Sequence, residues 1–139
     1  MEKKILIVSS AYYPEIAENL KKGATSYLNL IKSNYDIKYC SGSFEIPFTI
    51  NQYLNSYLGF IALGCIIRGE TYHFELIANE VARKIMDLSI DSKKPIGFGI
   101  LTCDNEEQAV FRSDPLKGNK GEEAARACTE SLALYYRGQ

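Results

Sequence analysis

ALGCIIRGETYHFELIANEVARKI, residues 62–85, contains two patterns laid end to end. The first ends an apolar run that begins at Phe60, and residues 60–67 read as a third strand. Such a run suits a strand covered on both faces. Arg68 and Gly69 end it. Phe74, Ile77, Ala78, Val81 and Ile85 then recur at helical spacing, and Leu88 extends the stripe. That periodicity marks one face of a long amphipathic helix. A buried strand thus passes into a helix over a few residues, and the only histidine of the chain, His73, stands at the junction.

The same alternation runs outward in both directions. Residues 5–8, ILIV, read as a first buried strand. Ile16, Leu20, Tyr27, Leu30 and Ile31 mark a helix over about 15–33, with Pro14 acceptable in its first turn. Residues 35–39 suit a second strand, residues 40–43 a turn, and residues 48–54 a short helix after Pro47. Lys93, Lys94 and Pro95 close the long helix, and residues 96–101 form a fourth strand. Asp104 with Glu107 three residues on fits a helix N-cap. Residues 113–118 are a loop with Pro115, and Asn119 is placed to cap a last helix reaching about residue 136. Strands alternating with helices require crossover connections. The expected fold is a three-layer α/β/α sandwich on a four-stranded, mainly parallel sheet, doubly wound and flavodoxin-like. In such sheets ligands sit beyond the carboxyl ends of the strands. Here those ends carry residues 9–13, 40–45, 68–73 and 102–105.

With 139 residues, 46% hydrophobic content and no linker or repeat, one domain over residues 1–139 is expected. A chain of this size buries roughly two-thirds of its unfolded surface, enough for a core without staples. A formal net charge of −1 argues against nucleic-acid or membrane-surface binding through bulk charge. Cys40, Cys65, Cys103 and Cys128 lie far apart with no C-x-x-C pair, which fits free thiols in a reducing compartment. The four apolar residues after Lys4 fall short of the roughly 7–15 of a secretory core. No run approaches the roughly 18 of a membrane span. A cytoplasmic location is expected.

Gly69, Glu70 and Thr71 precede the long helix, where unpaired N–H groups and the positive dipole end favour an anion. Thr71 can cap that helix, although an ordinary capped helix start looks the same. Glu70 is tolerable beside a phosphate only if its carboxylate points away. An imidazole held neutral at a positive helix end, as His73 would be, can take and return a proton. A lone histidine is more often structural, so its neighbours decide. The H-x-E of residues 73–75 lacks the downstream P-C-x-x-C of zinc deaminases, and no metal site is expected. Gly97-Phe98-Gly99 lies inside a strand without a third glycine, so no dinucleotide fingerprint is read. Residues 9–13 hold no glycine, which argues against a phosphate cradle there. Tyr12 and Tyr13 could instead stack on a flat ligand. Glu45 would accept from a polyol or a ring N–H. These pieces point to an enzyme that moves protons on a phosphorylated carbonyl substrate, with no cofactor. They do not name the substrate.

Four segments carry a resemblance: SGSFEIP at 41–47, ALGCIIRGETYHFE at 62–75, PIGFGILTCDNEEQA at 95–109 and NKGEEAARA at 119–127. In order and spacing the chain resembles the 6,7-dimethyl-8-ribityllumazine synthases, transferases of riboflavin biosynthesis, over residues 5–137. The resemblance implies condensation of 5-amino-6-(D-ribitylamino)uracil with 3,4-dihydroxy-2-butanone 4-phosphate, releasing phosphate and water without a cofactor. It implies that Tyr12 stacks on the pyrimidine. Ser43, Phe44 and Glu45 would hold the uracil substrate, with Glu45 reaching ribityl hydroxyls. Cys65, Ile66 and Ile67 would line the ring. Glu70 and Thr71 would bind phosphate through their backbone, and His73 would transfer protons. Phe98 would cover the ring and Arg112 would bind phosphate, both from a neighbouring subunit, and Lys120 would lie near the phosphate. The implied assembly is a homo-pentamer, which in some family members builds a hollow shell of twelve pentamers.

The chain departs from the family pattern in three places. Ser41-Gly42-Ser43 stands for the common P-G-A, Ala11-Tyr12 for the frequent R-F, and Glu70 for the more usual alanine. The lost arginine puts a loop contact in doubt, but no reacting group is removed. Two rival functions share these features: an archaeal-type riboflavin synthase, and a non-catalytic shell or ligand-binding protein of the same fold.

Overall fold

The computed structural model describes residues 4–70 and 72–136. Nine elements of regular structure alternate: β1 Ile5–Ser10, α1 Pro14–Leu30, β2 Tyr35–Cys40, α2 Ile46–Gln52, β3 Gly59–Ile67, α3 His73–Ser92, β4 Ile96–Cys103, α4 Glu106–Ser113 and α5 Lys120–Tyr136. A single 3-10 turn, Ser43–Glu45, leads into α2. The four strands form one sheet in the order β2-β1-β3-β4, and every pair is parallel. The expected parallel doubly wound sandwich is therefore the observed one.

Alternation along β1 sorts the core into two layers, because successive strand side chains point to opposite faces. Ile5 and Ile7 face one way and pack with Ile16, Leu20, Ala24 and Leu28 of α1 and with Ala124, Ala125 and Cys128 of α5. Leu6 and Val8 face the other way, with Ile46 and Ile50 of α2 and Val81 and Ile85 of α3. Both β1 and β3 are buried nearly end to end, as strands covered on two faces must be. On the edge strand β4, Gly97 lets α5 approach closely: a Cβ there would sit 2.0 Å from the Ala124 carbonyl oxygen.

Boundaries differ from expectation in small, explicable ways. The helix expected after Pro47 begins one residue before it, because proline, which has no N–H to satisfy, suits the first turn, while the Ile46 N–H donates to the Ser43 carbonyl. The cap of α4 is Asn105, not Asp104. The Asn105 Oδ1 accepts from the Gln108 N–H at 2.9 Å, while the Gln108 side chain accepts from the Asp104 N–H at 2.8 Å. The cap thus lies one residue beyond the expected Asp104, and the return bond goes to the residue before the cap. Asn119 precedes α5 with φ 48°, and its side-chain oxygen is buried without a hydrogen bond, so it does not cap the helix through that oxygen. Lys93 ends α3 in the left-handed conformation, at the break expected from the Lys93-Lys94-Pro95 run. Among the described residues no helix is long and apolar enough to cross a membrane.

Candidate active site

The chain runs from β1 out to β2, then returns past β1 to β3 and on to β4. The order reverses between β1 and β3, so a crevice opens beyond the carboxyl ends of those two strands. A cavity of about 540 Å³ lies there. That volume is in the range of small-molecule sites.

The walls of the cavity come from the ends of β1, β2 and β3 and from the start of α3. Tyr12 and Tyr13 follow β1 and meet edge to face, with ring centroids 5.0 Å apart and planes at 84°. Tyr13 packs against the core, so it holds the 69% exposed Tyr12 ring upright at the rim. The 3-10 turn after β2 supplies Ser43, Phe44 and Glu45. Ser43 is buried and donates its hydroxyl to the Cys65 carbonyl at 3.5 Å. Gly64 makes room for it, since a Cβ there would lie 2.6 Å from the Ser43 Oγ. Phe44 and Glu45 are exposed, and the Ser41 hydroxyl donates to Glu45 Oε1 at 3.3 Å. Cys65, Ile66 and Ile67 form the wall at the end of β3. Burial pushes the Cys65 thiol up to about 12, so it is a neutral wall and not a thiolate nucleophile.

The last wall is the start of α3. His73 is its first residue, exposed and facing the cavity with Leu76 and Ile77. Tyr72 occupies the cap position and makes no side-chain cap bond. Glu70 is exposed and does not line the cavity. Thr71 lies outside the described residues.

Three expected site residues are elsewhere on this chain. Phe98 is on β4, opposite Ala62 of β3, 46% exposed in a second hollow of about 850 Å³ between α3 and α5. Arg112, on the last turn of α4, is exposed and its Nη1 lies 3.9 Å from the Cys103 sulfur. Lys120 opens α5 with its Nζ 3.2 Å from both carboxylate oxygens of Glu123. None of the three lines the cavity of its own chain. Leu76 was not read from the sequence as a site residue. Its signal was its spacing, three residues after His73 on one helix face.

Residues 2–135 match the family model for 6,7-dimethyl-8-ribityllumazine synthase. The chain belongs to that family. A relative from Bartonella tribocorum, named 6,7-dimethyl-8-ribityllumazine synthase, is 46% identical over 99% of this chain and 94% of its own length. One from Beijerinckia indica with the same name is 45% identical over 95% of this chain and 74% of its own. One from Rhizobium meliloti, named 6,7-dimethyl-8-ribityllumazine synthase 1, is 42% identical over 96% and 92%.

Proposed function

We propose that this chain condenses 5-amino-6-(D-ribitylamino)uracil with 3,4-dihydroxy-2-butanone 4-phosphate to 6,7-dimethyl-8-ribityllumazine. The observation that carries this reading is the convergence of Tyr12, the Ser43–Glu45 turn, Cys65 to Ile67 and His73 on one cavity at the switch point. A flat uracil fits between the Tyr12 ring and the apolar end of β3. Glu45 accepts from ribityl hydroxyls. The backbone at Glu70 and Thr71 and the open start of α3 bind the phosphate.

The reaction then needs a carrier of protons. The uracil 5-amino nitrogen attacks the ketone carbon, and loss of one water gives an imine. A proton leaves carbon as the C–O bond to phosphate breaks, and phosphate departs with the electron pair. The resulting enol becomes a ketone. The ribitylamino nitrogen closes the ring on it with loss of a second water. Every step moves a proton between nitrogen, carbon and oxygen, which is the role given to His73. Holding two substrates in one cavity supplies much of the remaining acceleration.

Phe98 and Arg112 complete the site from a neighbouring subunit, and Lys120 lies near its phosphate. The exposed apolar hollow beside β4, with Phe98, Met86 and Tyr135, supports an association of chains along that edge. The assembly is a homo-pentamer, and light scattering distinguishes it from a shell of twelve pentamers. Four free thiols support a cytoplasmic location. The test is to mix both substrates with the protein and follow lumazine absorbance together with released phosphate. Formation of both supports the reading. Conversion of lumazine supplied alone would instead indicate a riboflavin synthase, and absence of any turnover a binding or shell protein.

A further inference from the structure

Arg68 does not line the cavity, yet it joins three elements around it. It follows β3, and its N–H donates to the Cys103 carbonyl at the end of β4 at 2.8 Å. Its Nε donates to Asp104 Oδ1 at 3.0 Å. Its Nη1 donates to the Glu75 carboxylate in the first turn of α3. Its guanidinium carbon lies 4.4 Å from the centroid of the Phe74 ring. Glu75 and Phe74 are the two residues after His73. The anchor is itself fixed, because the Asp104 N–H is held by the Gln108 side chain at the cap of α4. The first turn of α3, by contrast, has no side-chain cap of its own at Tyr72.

We propose that Arg68 is a positioning residue: it clamps the first turn of α3 to the end of β4 and so fixes the imidazole of His73 over the cavity. The proposal rests on the reading of His73 as proton carrier. Exposed ion pairs add little to stability. Their value here is geometric, since a displacement of about 1 Å at a reacting group can cost about a hundredfold in rate. Its Nε and Nη1 each donate to a carboxylate, and those two contacts are what tie the first turn of α3 to the end of β4.

The test is Arg68→Gln, with Arg68→Lys as the conservative variant. Arg68→Gln should lower kcat about tenfold, leave the KM of both substrates within about twofold, and shift Tm by no more than a few degrees. Arg68→Lys, which keeps the charge but not the fork, should fall between it and the parent. Added to His73→Ala, Arg68→Gln should cost nothing further in kcat. The single histidine gives a second readout that needs no activity. Its Cε1–H resonance should be a single line in the parent and multiple in Arg68→Gln. An unchanged line, an equal loss in the His73→Ala background, or a raised KM for the butanone phosphate alone would overturn the proposal. If the parent makes no lumazine, the proposed function fails, and the histidine line still decides the clamp.

Discussion

Cys65 shows how much environment decides at the scale of one residue. It sits on the cavity wall, where a thiolate would attack a carbonyl substrate. Burial disfavours the charged form and raises its pKa to about 12, and Cys103 adds in the same direction. The thiolate is therefore scarce at neutral pH and becomes appreciable only as pH approaches that value. At pH 8 native Cys65 should react with iodoacetamide at least about a hundredfold more slowly than free cysteine. A rate matching free cysteine would show a reactive thiolate and a different chemistry at this wall. His73, Cys65 and Glu45 were legible in the sequence because each stands at a strand end, and strand ends follow from the alternation alone. The partners of Arg68 were not. Asp104 lies 36 positions away and meets Arg68 only because β3 and β4 pair in parallel register.

At the scale of the element, the apolar stripe in residues 74–88 predicted α3 closely, and the apolar segments between the helices and turns predicted all four strands, only residues 5–8 being a β-branched run. The cap of α4 was misplaced because Asp104 and Asn105 are both good capping residues, and only the backbone geometry after β4 chooses between them. Gly97 is a second feature that sequence pattern could not interpret. Within a strand it suggested a nucleotide motif to be dismissed. The structure shows a contact of α5 backbone on sheet instead. Gly97→Ala should therefore push Ala124 and α5 off the sheet. A loss of about 3 kcal/mol, a fall in Tm of roughly 10 °C, is expected in thermal unfolding. A Tm within a degree or two of the parent would show that α5 yields freely.

At the scale of the whole molecule, a single chain forms the cavity but not all of the site expected from the resemblance. Phe98 and Arg112 do not line the cavity of their own chain, and both are exposed. No pattern within one sequence states which residues cross to another copy, which is why this part of the site was legible only through resemblance. Arg112→Ala should raise KM for the phosphorylated substrate tenfold or more, as a charge-assisted contact is lost. If sites are shared, co-assembling equal amounts of Arg112→Ala and His73→Ala chains should restore about a quarter of the sites to intact pairs. Activity no greater than the average of the two variants would mean that each chain uses its own Arg112. The central claim is that His73, at the mouth of the switch-point cavity, carries the protons of the condensation. The most direct measurement is turnover of the His73→Ala protein with both substrates saturating. The account predicts lumazine and phosphate formed about a hundredfold more slowly than by the parent, but still measurably. Turnover at the parent rate would contradict it.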